Sequence, residues 1–199
     1  EPGSYLYCGL SRDASKEEIL ERINNNTITD ILNKIEVKAG DVVMVKAGTI
    51  HAIGAGVFIC EIQQNSNCTY RMYDYDRRDK FGNPRELHVK KALDVVDNHK
   101  YIKDNKTEVV IARNEHFTEE RLVQCKYFEV YKYDVNDEAK ITVDEASFVS
   151  VLFINGSGTI ETDDYEKTME FKAGDSFFVS AGLRSIIVKG QATMVVTRV

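Results

Sequence analysis

The chain contains an internal repeat. Residues 35–53 read IEVKAGDVVMVKAGTIHAI and residues 169–187 read MEFKAGDSFFVSAGLRSII. They align without a gap at an offset of 134, with nine identities in nineteen positions. Each copy places Lys-Ala-Gly-Asp before a short apolar run, then Ala-Gly before another. Gly and Asp next to strand-forming residues mark tight turns, so the unit reads as strand, turn, strand, turn, strand. Isolated hairpins share such turns by chance, but a shared Lys-Ala-Gly-Asp string within nine identities points to duplication. Two related β-units follow, each expected to close on itself and hide its edges. The copies diverge at one chemically telling position: His51 in the first is Ser185 in the second.

The remaining signals fit a mainly β chain with a helical preface. Ser15 and Glu18 form a capping box ahead of Ile19, Leu20 and Ile23 at helical spacing. A second short helix is expected after Thr29, through Ile31, Leu32 and Ile35. Alternation predicts strands at Val57–Gln63 and Thr69–Tyr75, and a helix over His88–Val96. Polar residues Lys103–Thr107 read as a linker, dividing the chain into 1–104 and 105–199. Beyond it, strands are expected at Cys125–Val135, Ser147–Ile154, Thr168–Phe171, Ser176–Val179 and Ala192–Val199.

With 43% hydrophobic residues and two prolines, 199 residues suffice to bury one or two cores. Net charge is −6, from 26 basic and 32 acidic residues mixed along the chain. That balance argues against nucleic acid as a partner, and the absence of a long apolar run argues against a membrane span. Cysteines 8, 60, 68 and 125 form no C-x-x-C pair. Their spacing suggests neither a disulfide framework nor a thiolate metal site, but a reducing, cytoplasmic setting. Glu1-Pro2-Gly3-Ser4 carries no visible secretory signal and no initiator Met, which points to a processed or trimmed chain.

The string Gly40, Asp41, Val45, Ala47, Gly48, Thr49, His51 resembles the second cupin motif, whose histidine enters a jelly-roll barrel to bind metal. Downstream, Glu61-Ile62-Gln63-Gln64-Asn65-Ser66, Thr69 to Arg77 and Pro84-Arg85-Glu86-Leu87-His88 resemble type I mannose-6-phosphate isomerases, in particular their short bacterial form. That resemblance runs over nearly the whole chain and is most specific from Ala47 to His88. It implies a cupin-like double β-barrel and zinc-dependent interconversion of mannose 6-phosphate and fructose 6-phosphate. It also implies His51 as a zinc ligand, Arg71 at the catalytic centre and Glu61 lining the site. Arg77 matches a basic position and is the first choice for the substrate phosphate, with Lys80 and Arg85 in reserve.

The residue types suit that chemistry. A proton leaves C2 of the open-chain sugar and returns to C1 through an enediolate. A Lewis-acid metal, a fixed arginine and a general base each lower that barrier. On strand geometry Glu61 shares a face with Gln63, and Arg71 with Tyr73 and Tyr75. So polar an interior suits a ligand cavity better than a dry core. The plainer readings are an Arg71–Glu61 ion pair, a solvated Arg77–Lys80 loop, a structural His88 and packing roles for Tyr73 and Tyr75. His99 and His116 carry no argument.

The family supplies its other zinc ligands earlier in its sequences, and residues 1–50 here contain no histidine. A catalytic zinc needs about three protein ligands. The expectation is therefore a C-terminal fragment with an incomplete first barrel, inactive alone, whose exposed edge invites dimerisation. A non-catalytic sugar-binding or regulatory cupin is the competing reading. A cupin dioxygenase would need a G-x-H-x-H motif, which is absent.

Overall fold

The computed structural model describes residues 1–103, 109–162 and 165–199, which fall into two compact units, Glu1–Lys103 and Asp104–Val199. The linker expected at Lys103–Thr107 lies, from residue 104 on, outside the described residues. Among the described residues no helix is long and apolar enough to cross a membrane.

The first unit opens with a strand, β1 (Tyr5–Leu10), and not with the expected helix. Helix α1 (Lys16–Asn24) follows, capped as its sequence predicts: the Ser15 hydroxyl accepts the Glu18 N–H at 3.1 Å. Ile19 and Ile23 turn into the core, while Leu20 lies at the surface. The second helix is a single 3-10 turn, Ile28–Ile31, which gives way to strand β2 (Leu32–Glu36). Tertiary pairing overrides local pattern there, because Ile35 lies opposite Leu6 of β1. Strand β3 (His51–Ile53) pairs with the other edge of β1, giving a three-stranded antiparallel sheet in the order β2-β1-β3. Helix α2 (Val89–Val95) buries Ala92. Leu10, Ile19, Ile28 and Ile31 are at the centre of this core, and Met72 and Tyr73 pack against it. The strands expected at Val57–Gln63 and Thr69–Tyr75 do not form ladders. Their alternation suits a sheet, but no neighbouring strand pairs with them.

The second unit carries β4 (Val109–Arg113), β5 (Phe117–Gln124), β6 (Glu129–Val135), β7 (Glu138–Val143), β8 (Val149–Thr162), β9 (Tyr165–Lys172), β10 (Ser176–Val179) and β11 (Arg184–Arg198). These form one antiparallel sheet in the order β10-β8-β11-β6-β5-β4, with β7 on β11 and β9 on β8. It is the mainly β fold expected, but among the described residues neither sheet closes into a hydrogen-bonded ring, so the expected closure of each β-unit on itself is not seen. The long strands β8 and β11 change partners halfway. β8 takes β10 along its first half and β9 along its second; β11 takes β7 and then β6. This folds the sheet over a core centred on Phe153 and Phe171, whose rings stack at 3.7 Å.

Bending there requires backbones to touch. Gly156 has φ +89°, and a Cβ built on it would lie 2.7 Å from Ala192 Cα. Gly156→Ala therefore meets both a left-handed backbone and a steric clash. We expect a loss of about 2 kcal/mol or more, read from the denaturant midpoint. A midpoint unchanged from the parent would contradict the packing described.

The repeat is reproduced in geometry. Asp41 Oδ2 accepts the Lys38 N–H at 3.0 Å, and Asp175 Oδ2 accepts the Lys172 N–H at 2.9 Å. The turn glycines Gly40 and Gly174 have φ +90° and +91°. The following runs differ, however: Ser176–Val179 pairs with β8, whereas Val42–Val45 forms no strand.

One ion pair in the second unit makes stability depend on pH. His116 Nδ1 lies 2.9 Å from Asp137 Oδ1, tying the β4–β5 turn to the β6–β7 turn. Hydrogen bonding to Asp137 raises the His116 pKa, and the same contact lowers that of Asp137. The contribution of His116 is full below the ordinary histidine value near ~6.5 and is lost as pH rises through its raised value. That of Asp137 is present above ~3.9 and is lost on acidification. His116→Gln should therefore lower the denaturant midpoint most near pH ~5 and least in alkaline solution. A pH-independent difference would contradict the pairing.

Candidate functional site

Residues 71–88 of the first unit fold back on themselves around a buried carboxylate. Asp74 is only 7% exposed, and Arg85 grips it with two hydrogen bonds, Nε to Oδ2 at 2.7 Å and Nη2 to Oδ1. That contact first, then the charges of Arg77 and Arg71, holds the Asp74 carboxyl below the usual carboxylate range. Three guanidinium groups thus lie within electrostatic reach of one carboxylate, leaving the group net positive. Arg85, a reserve expectation for the phosphate, is occupied by Asp74, for which the sequence holds no signal beyond an acidic residue between tyrosines.

Arg71 is fixed through its backbone. His88 N–H donates to the Arg71 carbonyl at 2.7 Å, and Arg71 N–H donates to His88 Nδ1 at 3.3 Å. His88 thus holds the Arg71 backbone through two hydrogen bonds, its Nδ1 acting as the acceptor, just ahead of α2. The Arg71 side chain reaches the Glu86 carbonyl through Nη1 at 3.3 Å.

Arg77 is presented by a strained turn. Tyr75 and Asp76 have φ +56° and +50°, an uncommon pair of left-handed non-glycine residues. The Arg77 N–H closes the turn on the Asp74 carbonyl at 3.0 Å, and its guanidinium lies over the Tyr75 ring at 5.3 Å. Among the described residues that guanidinium has no hydrogen-bond or ion-pair partner, whereas Arg78 is held by Asp76 and by the Gly82 carbonyl. A cleft of about 240 Å³ lies beside it, lined by Tyr73, Asp74, Asp76, Arg77, Arg85 and Leu87 among others.

The other two expected residues lie apart from this cluster in their contacts. Glu61 is exposed, and no ion pair joins it to Arg71. His51 begins β3 opposite Cys8 and is exposed. Its Nδ1 lies 3.0 Å from the Thr49 carbonyl. A carbonyl only accepts, so Nδ1 carries a proton, and in the neutral ring that leaves the lone pair on Nε2, the tautomer a metal ligand requires. Among the described residues, however, no group of three or more His, Cys, Asp or Glu side chains could hold an ion. His51 fits a zinc ligand; the described residues do not assemble a zinc site.

The second unit also matches a known family model. Residues 118–199 match the mannose-6-phosphate isomerase cupin domain. The putative mannose-6-phosphate isomerase YvyI of Bacillus subtilis is 40% identical over 100% of this chain and 61% of its own length. The mannose-6-phosphate isomerase ManA of the same organism is 33% identical over 92% of this chain and 56% of its own. A crystal structure of the Bacillus subtilis mannose 6-phosphate isomerase superposes with a TM-score of 0.89 at 35% identity, over 100% of this chain and 62% of that one. This chain thus spans about three fifths of the length of these relatives. The structure of a putative mannosephosphate isomerase from Archaeoglobus fulgidus, at 18% identity and TM-score 0.64, shares the fold. Over these shares, sequence and structure along the whole chain are similar to mannose-6-phosphate isomerases, and residues 118–199 carry their cupin domain.

Proposed function

We propose that this chain serves in an isomerase that interconverts mannose 6-phosphate and fructose 6-phosphate in the cytoplasm, and that its first unit receives the sugar phosphate. The supporting observation is the net-positive cluster of Arg71, Arg77 and Arg85 around Asp74. Within it, Arg77 is the group with open donors beside a cleft. A guanidinium suits a phosphate because its fork matches the oxyanion geometry.

In this reading the phosphate docks on Arg77, which places the sugar carbons near Arg71. Arg71, fixed by two backbone contacts, stabilises the negative charge of the enediolate without having to reorganise. The C2 proton needs a general base that returns it to C1, and Glu61 is the candidate this chain offers, although its exposed side chain makes no contact with the Asp74 cluster. Zinc, one per complete enzyme, would polarise the substrate oxygens, with His51 as the ligand this chain contributes. The described residues do not complete its coordination, so the chain alone is proposed to be inactive.

Calorimetric titration tests the phosphate assignment. Arg77→Ala should weaken binding of mannose 6-phosphate about tenfold to a hundredfold, the effect of one charge-assisted contact. Binding of unphosphorylated mannose should not change. Equal loss for both sugars would show that Arg77 acts on the fold and not on the phosphate. Phosphate-dependent binding in a complete protein that lacks isomerisation would favour the sugar-binding cupin reading.

A further inference from the structure

The inward face of the second unit carries polar groups that the reading above does not use. Cross-strand register places them in rows: Arg198, Glu129 and Gln124; then Val196, Tyr131 and Arg121; then Met194, Tyr133 and Glu119. Partners in register share a face of the sheet. This is the core face, since Tyr131, Tyr133, Met194 and Val196 are all buried.

The acidic groups here are already engaged. Tyr133 Oη donates to Glu119 Oε1 at 2.5 Å, Tyr131 Oη to Glu129 Oε2 at 2.7 Å, and Gln124 Nε2 to Glu129 Oε1 at 2.6 Å. The two arginines are not. Nε of Arg121 and Nε of Arg198 are both buried without a hydrogen-bond partner. Neither guanidinium has an ion pair among the described residues; Arg198 only stacks over the Tyr131 ring at 5.2 Å. Burying a charged N–H without an acceptor is costly, and two such donors flanking one tyrosine imply a missing acceptor. Gln124, exposed at the margin of the rows, leaves the cluster open to solvent.

We propose that this face binds a small hydroxylated oxyanion, a carboxylate or phosphate ester held by Arg121 and Arg198. The remaining lone pairs of Glu119 and Glu129 would accept its hydroxyls, and the phenol of Tyr131 would lie between the two guanidinium groups. This second site is independent of His51 and of the Asp74 cluster.

The test is ¹H–¹⁵N NMR of the arginine Nε–Hε signals in the full chain, titrated separately with inorganic phosphate, gluconate and glucose 6-phosphate. The Arg121 and Arg198 signals should shift saturably with at least one of them. A response to gluconate alone identifies a carboxylate, and a response to the phosphates identifies a phosphate ester. Arg121→Gln and Arg198→Gln should each weaken that binding about tenfold or more, while His51→Ala leaves it unchanged. Should a glutamine variant lose its thermal transition, Arg121→Lys, which keeps the charge but not the fork, is expected to weaken binding comparably. No shift with any of the three ligands, or binding unaltered in the folded arginine variants, would overturn the proposal. Binding abolished by His51→Ala would overturn it too, by placing the ligand in the first unit.

Discussion

Arg71→Ala, in the isomerase this chain is proposed to serve, should lower kcat about a hundredfold to a thousandfold and leave bound zinc unchanged. The geometry makes the test clean. Both contacts that fix residue 71 to His88 come from its backbone, so alanine keeps them and loses the bond from Nη1 to the Glu86 carbonyl and the charge that acts on Asp74. Stability should therefore change by no more than about 0.5 kcal/mol, as for an ordinary surface substitution. Arg71→Lys should recover little, because an ammonium cannot reproduce the guanidinium fork. Normal turnover in Arg71→Ala would remove the arginine from the mechanism. A large loss of stability would make it structural.

His51→Ala should show the opposite division. Loss of a metal ligand should raise the zinc dissociation constant of the complete protein by about a hundredfold or more, with activity falling in parallel. Excess zinc should then restore part of the rate, as it cannot for Arg71→Ala. Competition with a chelator reads the affinity without recourse to activity. Unchanged zinc affinity would mean that the Nδ1 contact to Thr49 only stabilises the turn.

These two residues also show how far the sequence could be read. His51 stood out because a duplicated turn isolated it, and turns are local: Lys38, Gly40 and Asp41 adopt the same hydrogen bond and the same φ as Lys172, Gly174 and Asp175. The capping box at Ser15 was legible for the same reason. What depends on distant partners was not. Val57–Gln63 and Thr69–Tyr75 alternate as strands should, yet a ladder needs a neighbour and none pairs with them. Ile35 fits a helical pattern but joins a strand because Leu6 lies across from it. β1 was missed because Tyr5-Leu-Tyr-Cys-Gly-Leu10 lacks alternation and contains a glycine. Within the candidate site, the arginines were legible as residue types. Asp74, which decides which of them is free, could be recognised only once the chain had folded back between residues 71 and 88.

The most decisive experiment is elemental analysis of zinc in this 199-residue chain after desalting, with mannose 6-phosphate turnover measured on the same sample. His51 is a ligand without companions among the described residues, so we expect well under one zinc per chain and no turnover. One tightly held zinc per chain accompanied by turnover would contradict this, because the chain would then contain a complete metal site and be an isomerase in its own right.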